Sequence, residues 1–166
     1  MKSGLYVPSG LIVYLVVTGL LHATAHAKAT KNADALVFGP TATVRWLLVA
    51  LILGFACATI YVSVTPPPSL AGAAIFGLIS IAGTLAFPSD VLVSGTGVAE
   101  VKWWGGKTEI PWKDVGRIEY HKGPATTVIV SKAGAKVVHS GWNRDTSGFL
   151  ESCEEKTGLS PTTSEM

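Results

Sequence analysis

The chain has 166 residues, with 13 basic and 11 acidic side chains, so its formal net charge is only +2. Residues 1–87 hold five charged side chains with a net charge of +3, whereas residues 88–166 hold nineteen with a net charge of −1. The polar half therefore lacks the basic face that binding to a nucleic-acid backbone requires, and we expect no nucleic-acid partner. The two cysteines, Cys57 and Cys153, fit neither a disulfide framework nor a zinc site, so no metal is predicted.

The N-terminal segment, residues 3–27, is uncharged and has two interpretations. One is a transmembrane helix over about residues 9–27. The other is a cleaved signal peptide, because a short apolar core is followed by Ala-His-Ala. Lys28, Lys31 and Arg45 follow the segment, and only Lys2 and the amino terminus precede it. The positive-inside rule therefore favours a retained helix with residues 28–45 in the cytoplasm.

Two histidines in this segment, His22 and His26, are four residues apart and would share one helix face. An imidazole inside a membrane is a candidate axial ligand for a haem or a chlorin. The interpretation we favour is that both side chains lie at the membrane interface near Lys28. We therefore predict no cofactor, with His22 and His26 as the candidates if one exists.

Residues 46–89 contain no charged side chain and predict a membrane hairpin. Two apolar stretches, 46–64 and 69–87, each have 19 residues, close to the length of about 20 that crosses a bilayer. Pro66, Pro67 and Pro68 separate them and end the first helix, because proline lacks the N–H that a helix interior needs. We expect transmembrane helices over about 9–27, 45–64 and 69–87.

A series of small residues marks one face of the second hairpin helix: Ser69, Ala73, Gly77, Ser80 and Thr84. Small side chains allow close approach of another helix. The favoured interpretation is that this face closes the hairpin on the first helix, where Ala50, Gly54 and Cys57 are similarly spaced. The alternative is a contact face for another membrane protein.

From residue 88 the pattern changes to the two-residue period of β-strands. Short alternating stretches separated by glycine or proline predict a small antiparallel barrel or sandwich. In residues 145–158, Asp145 is a predicted N-cap, and Phe149, Leu150, Cys153 and Thr157 share the apolar face of a closing helix. Gly158 and Pro161 end that helix, so a β domain with a C-terminal helix is expected over 88–160, followed by a tail over 161–166.

The stretch GGKTEIPWKDVGRIEY, followed by a strand hairpin and FLESCEEKTGL, resembles the bacterial pleckstrin-homology-like (PH-like) domain. The most specific part is Ile110, Pro111, Trp112 and Asp114. The resemblance implies a partly open barrel capped by a helix, carried by a membrane-anchored protein. It does not imply an enzyme.

Candidate chemistry in the polar half is sparse. Lys102 and Lys107 lie beside Glu100 and Glu109, which makes a weak phosphate site. Trp103 and Trp104 are candidates for contact with the membrane interface, although one buried and one rim tryptophan is the interpretation we favour. No nucleophile with a suitably spaced base, and no pair of carboxylates, indicates catalysis, so no catalytic residue is predicted.

The expected function is therefore non-enzymatic. We expect a multi-pass protein of the bacterial inner membrane whose cytoplasmic PH-like domain contacts other membrane or cytoplasmic proteins as a scaffold or adaptor. Two alternatives remain: an accessory subunit of a large respiratory or photosynthetic complex, and a module that binds the lipid surface. Candidate interaction residues are Ala73, Gly77, Ser80, Thr84, Trp103 and Trp104.

Overall fold

The computed structural model describes residues 18–19, 27–32, 34–123 and 125–164. Within these ranges the chain forms a two-sheet β domain, and a pair of antiparallel apolar helices is inserted between two neighbouring strands of one sheet. The first sheet has the order β1-β2-β3-β4-β5 and is antiparallel throughout. Its strands are β1 (Thr30–Asn32), β2 (Ala35–Phe38), β3 (Asp90–Val93), β4 (Gly97–Val101) and β5 (Lys107–Pro111).

The second sheet has the order β8-β7-β6-β9, in which β9 pairs parallel to β6. Its strands are β6 (Val115–His121), β7 (Thr126–Ser131), β8 (Lys136–His139) and β9 (Thr162–Ser164). A 3₁₀ turn at Trp112–Asp114 carries the chain from the first sheet to the second. Gly134, with a φ of 90°, forms the turn between β7 and β8.

The C-terminal helix, α3 (Thr146–Thr157), closes the domain as the sequence predicted. Asp145 caps its start by accepting a hydrogen bond from the Gly148 N–H, and Gly158 ends it in the left-handed conformation. Phe149 and Cys153 are fully buried on its apolar face. The Phe149 ring meets Phe38 of β2 edge to face, with ring centres 5.3 Å apart, so α3 packs against the strand that precedes the helical hairpin.

The core of the β domain draws on both sheets and on α3. It consists of Phe38, Val91, Val93, Val98, Ile110, Val115, Ile118, Ile129, Val137, Phe149 and Cys153. In β3 the alternate residues Val91 and Val93 supply it, which is the two-residue period that the sequence shows. The expected small β domain with a closing helix is therefore present. However, β1 and β2 also belong to it, so it begins before the apolar helices and not at residue 88.

The two apolar helices are α1 (Ala42–Val64) and α2 (Leu70–Leu85). Thr41 caps α1 and Ser69 caps α2, each through its side-chain oxygen. Phe55 of α1 stacks on Phe76 of α2, and the Ser80 hydroxyl donates to the Ile52 carbonyl at 3.3 Å. The helices therefore form a packed hairpin, while their other faces leave large apolar side chains exposed.

The expectation of three transmembrane helices is wrong. Within the described residues, α1 with 23 residues is the one helix long and apolar enough to cross a membrane, and α2 has only 16 residues. At 1.5 Å per residue α2 is about 24 Å long, short of the roughly 30 Å of a hydrocarbon core. It is shorter than the apolar stretch because its last turn ends at Ala86, before the loop that enters β3. Of the predicted helix 9–27, all but residues 18–19 and 27 lie outside the described residues.

Candidate functional site at the base of the hairpin

The hairpin joins the β domain at two points that lie side by side. β2, which precedes the hairpin, pairs with β3, which follows it, and Phe38 is directly opposite Val91. Neighbouring strands in a sheet are about 4.8 Å apart. Both ends of the hairpin are therefore fixed next to each other, and the tip at Pro66–Pro68 is its most distant part.

Arg144 holds the segment that leads into α1. Its Nε donates to the Gly39 carbonyl at 3.0 Å, and its Nη2 donates to the Pro40 carbonyl at 3.2 Å. Its Nη1 donates to the Thr30 hydroxyl of β1 at 2.6 Å. Hydrogen bonds from a charged donor are the stronger kind, so this one side chain ties the loop before α3 to the base of the hairpin.

Arg45 and Asp90 connect the two ends of the hairpin directly. The Arg45 Nη2 lies 2.6 Å from the Asp90 Oδ1. Gly39 lies against the same carboxylate, and a Cβ at this position would overlap the Asp90 Oδ1. The absence of a side chain at Gly39 therefore makes room for the ion pair.

A tight turn between β4 and β5 places two tryptophans beside this junction. The Gly105 N–H donates to the Lys102 carbonyl at 2.9 Å, and Gly105 has a φ of 89°, a conformation that favours glycine. Trp103 and Trp104 meet edge to face, with ring centres 5.6 Å apart. They are 55% and 51% exposed, so neither is in the core, and the interpretation with one buried tryptophan is not what the structure shows.

Trp103 also contacts the hairpin. Its Nε1 donates to the Thr84 carbonyl in the last turn of α2 at 3.1 Å. The Lys102 ammonium lies 5.2 Å from the centre of the Trp104 ring, within cation–π distance. The turn therefore presents two amphipathic rings and one cation at the level where the apolar helices leave the β domain.

Two cavities adjoin at this level. An apolar cavity of about 200 Å³ is lined by Val49, Ile52, Leu53, Thr84, Phe87 and Trp103. A more polar cavity of about 330 Å³ is lined by Arg45, Phe87, Pro88, Asp90, Val101, Lys102, Trp103 and Gly105. Phe87 and Trp103 line both, so the two cavities share a wall.

The small residues of α2 face α1. A Cβ at Gly77 would lie 3.7 Å from the Thr59 Cγ2, and a Cβ at Gly83 would lie 3.2 Å from the Ile52 Cγ1. Ser80 donates to the Ile52 carbonyl, and the Thr84 hydroxyl donates within α2 to the Ser80 carbonyl. These contacts favour the interpretation in which the small face closes the hairpin. On α1, by contrast, Ala50, Gly54 and Cys57 are exposed.

Two buried polar side chains of the β domain, Glu100 and His139, have structural partners. Glu100 accepts from the Ser89 hydroxyl at 2.8 Å and from the Val138 N–H at 3.1 Å. The His139 ring stacks on Phe149 at 4.4 Å between centres, and its Nε2 lies 3.2 Å from the Arg144 carbonyl. Burial lowers the pKa of His139 to about 4, so the ring is neutral at pH 7 and Nε2–H is the donor.

The other candidate reactive or metal-binding residues are Cys153, His22 and His26. Burial raises the pKa of the Cys153 thiol to about 12, which makes it unreactive in the folded protein. Among the described residues, no group of three or more His, Cys, Asp or Glu side chains is arranged to hold a metal ion. His22 and His26 lie outside the described residues.

Sequence reasoning missed Arg45, Asp90, Arg144 and Gly39 as members of this site. Arg45 was read only as a flanking charge, and Asp90 and Arg144 are more than 40 residues from it along the chain. One signal was available: Arg45 and Asp90 are the charged residues that bracket the uncharged stretch 46–89. A pair that closes such a hairpin at its base would occupy those positions.

No family model matches the chain, and no curated protein matches it. Among solved structures, part of the chain is similar to a chain in the "Structure of the Spt16D Pob3N heterodimer", with 10% sequence identity and a TM-score of 0.40. The match covers 47% of this chain and 46% of that one, so it spans less than half of either. The class that the structure itself defines is a small β domain of two sheets with a C-terminal helix, interrupted by an apolar helical hairpin.

Proposed function

We propose that this protein is a membrane-anchored scaffold or adaptor, in which the helical hairpin enters the lipid bilayer and holds a PH-like β domain at its surface. The observation that carries the proposal is the position of the hairpin. It is inserted between the paired strands β2 and β3, and its outward faces expose large apolar side chains such as Leu51, Ile60 and Leu78. Contiguous apolar surface of this kind needs lipid or protein to cover it.

The aromatic residues at the ends of the hairpin favour lipid, and not protein, as the partner that covers its apolar surface. Trp46, Trp103 and Trp104 are all more than half exposed near the junction with the β domain, and Tyr61 is exposed near the tip. Tryptophan and tyrosine settle at the two membrane–water interfaces, where a ring has an apolar and a polar neighbour. An apolar stretch bounded by such rings is typical of a segment inside a bilayer.

The charges predict the side on which the β domain lies. Lys28, Lys31, Arg45 and Lys102 are near the strands or the turn that adjoin the base of the hairpin, and no charged residue lies between Arg45 and Asp90. By the positive-inside rule the β domain faces the cytoplasm. The work of such a domain, whose sequence carries no catalytic constellation, is binding of partner proteins at the inner membrane.

The test uses thiol accessibility in intact membranes. Cys57 is exposed on α1, whereas Cys153 is buried and its thiol is unreactive. In a Cys153→Ala variant, whose single thiol is Cys57, we expect a water-soluble maleimide to leave Cys57 unlabelled until the membrane is dissolved in denaturing detergent. The positive control is Ala133→Cys in a Cys57→Ala background, because Ala133 lies in the exposed β7–β8 turn. Equal labelling of both thiols, together with release of the chain by alkaline carbonate, would refute the membrane anchor.

The β2–β3 pairing adds a second requirement to the same experiment. Single cysteines at Thr43, at the base of α1, and at Ala133 must be labelled from the same side of the membrane. A cysteine at Pro68 in the tip reports whether the hairpin reaches the opposite surface. Labelling of Thr43→Cys and Ala133→Cys from opposite sides would contradict the fold as well as the anchor.

One observation favours a second candidate, an accessory subunit of a large membrane complex. Ala50, Gly54 and Cys57 lie on the exposed side of α1, where they leave room for close approach of a helix from another protein. Affinity purification in mild detergent tests it with the Gly54→Leu variant. Loss of co-purifying membrane proteins, with the hairpin intact, supports the subunit; a small species that is the same with and without the substitution supports the scaffold.

A further inference from the structure

The two adjoining cavities at the base of the hairpin have opposite character. The apolar one runs along α1 through Val49, Ile52 and Leu53, on the side that continues into the exposed surface of the hairpin. The polar one contains two cations, Arg45 and Lys102, and one anion, Asp90. A ligand that fills both must combine an apolar chain with a negatively charged group.

The charges of the polar cavity leave an excess of one positive unit. Asp90 pairs with Arg45 through one guanidinium nitrogen, Nη2. Within the described part of the chain, Lys102 takes part in no ion pair, and its ammonium lies over the Trp104 ring. A cation that borders an apolar cavity and lacks an ion-pair partner there is suited to a phosphate oxygen, with which it forms a charge-assisted hydrogen bond.

The volumes of the two cavities agree with the binding of one lipid molecule. The polar cavity of about 330 Å³ is near the lower end of the ~300–1,000 Å³ range of small-ligand sites. The apolar cavity has a volume of about 200 Å³. A water molecule in the liquid occupies ~30 Å³, so the cavity has room for about seven chain groups of that size, enough for the first part of an acyl chain. The remainder of the chain would lie along the outer face of α1.

We propose that these two cavities form one site for a single anionic phospholipid, with its phosphate against Lys102 and Arg45 and one acyl chain along Val49 and Leu53. Trp103 separates the two parts, and its ring contacts the boundary between headgroup and chain. The inference rests on the proposed membrane anchor and adds to it a specific bound lipid and a position for it. The bound lipid fills the space between the β4–β5 turn and the hairpin, and so fixes their relative position at the membrane surface.

The experiment measures lipid retained by the full chain. The protein is purified in mild detergent, exchanged into mixed micelles that contain either phosphatidylglycerol or phosphatidylcholine, and examined by native mass spectrometry. We expect one phosphatidylglycerol per chain to survive detergent exchange, with phosphatidylcholine retained at least tenfold more weakly. Equal retention of the two lipids, or a broad distribution with no singly bound species, would overturn the proposal.

Two matched pairs of variants locate the site. Lys102→Gln removes the headgroup cation, and Lys136→Gln removes the same charge from an exposed residue of β8 that lines neither cavity. Val49→Trp fills the apolar cavity, and Leu51→Trp adds the same ring at a residue of α1 that is 56% exposed and outside the lining. We expect Lys102→Gln and Val49→Trp to weaken phosphatidylglycerol retention about tenfold, and the two controls to leave it unchanged.

The readouts separate this proposal from the membrane anchor. Flotation of each variant with liposomes reports anchoring independently of the retained lipid. Normal flotation with no difference between the variants and their controls overturns the lipid site alone, whereas failure of the wild type to float overturns the anchor. Competition with inorganic phosphate tests the source of the anion: displacement of the lipid by millimolar phosphate would show a site for free phosphate and would refute the amphiphile site.

Discussion

Arg45 in the first turn of α1 and Asp90 at the start of β3 are 45 residues apart in sequence, and their side chains form a 2.6 Å ion pair. The pair joins the two ends of the apolar hairpin at the place where β2 and β3 are hydrogen-bonded neighbours. The side chains are 47% and 31% exposed, so in water such a pair contributes about 0.2–1 kcal/mol. The ion pair therefore adds little stability, and its main role is to orient α1 where this helix leaves the sheet.

Gly39→Ala tests this geometry. The new Cβ would overlap the Asp90 carboxylate and force it away from Arg45. We expect a loss of about 1 kcal/mol in the free energy of unfolding, since the ion pair and its alignment are both lost.

The check for that substitution is a double-mutant cycle with Asp90→Ala. Without the carboxylate the alanine at position 39 has room, so the second substitution should add almost nothing. Thermal unfolding of the full chain in detergent measures all four proteins. Additive losses would show that Gly39 matters for another reason.

Gly97 of β4 lies close to the backbone of its paired strand β5. A Cβ at this residue would lie 2.5 Å from the Ile110 carbonyl oxygen and 3.0 Å from the Pro111 Cα, which are backbone atoms of a paired strand. We expect Gly97→Ala to lower the free energy of unfolding by about 3 kcal/mol, because neither strand can move without breaking ladder hydrogen bonds. Gly95→Ala is the matched control, since nothing lies within 4 Å of a Cβ there. Equal melting temperatures for the two variants would contradict the register of β4 and β5.

His139 should make stability depend on pH. The folded protein holds the pKa of its buried imidazole at about 4, against 6.5 for an ordinary histidine, so the unfolded chain binds more protons between these values. The contribution is fully present above pH 6.5 and is lost as the pH falls toward 4, to a limit of about 3 kcal/mol.

Denaturant unfolding between pH 4.5 and 7 measures that slope in the wild type and in His139→Phe, which retains a ring against Phe149. The carboxylates titrate in both proteins, so the difference between the two slopes reports His139. The variant is expected to lose the part of the slope between pH 5 and 6.5. Parallel curves would mean that the imidazole is accessible to protons in the folded state.

Gly77→Leu should separate the two helices of the hairpin. A side chain at Gly77 would enter the space beside Thr59 of α1, because even a Cβ there would lie 3.7 Å from the Thr59 Cγ2. We expect a melting temperature several degrees lower, since overpacking of a helix contact costs about 1–3 kcal/mol. Gly54→Leu is the control, because no atom lies within 4 Å of its Cβ. A larger loss for Gly54→Leu would show that the exposed side of α1 is packed against another molecule.

Local pattern was sufficient to predict much of the β domain. The two-residue period of the strands after residue 90, the β7–β8 turn and the closing helix with its Asp145 cap all follow from short-range rules about backbone geometry and hydrogen bonding. Burial of Ile110, Ile118 and Phe149 agrees with those patterns. Such features are predictable because each depends on residues within a few positions of one another.

Other features depended on long-range pairing and were not predicted. β1 and β2 carry few residues and no clear alternation, and they are strands because β3 and the Arg144 side chain hold them in place. The length of α2 was overestimated, because hydropathy cannot show where the chain must turn to enter β3. The β4–β5 turn places Trp103 at the base of the hairpin, where its Nε1 donates to the Thr84 carbonyl, and no local pattern indicates that contact.

By itself the sequence determined an uncharged, proline-interrupted pair of helices and the strand pattern that follows it, because composition and periodicity act locally along the chain. Tertiary structure decided that the hairpin is an insertion within one sheet, that both its ends lie on the same side, and that Arg45, Asp90, Lys102 and Trp103 meet at its base. The pairing of β2 with β3 brings together residues 53 to 57 positions apart, and its energy depends on the partner strand as much as on the strand itself. No window of sequence contains both partners.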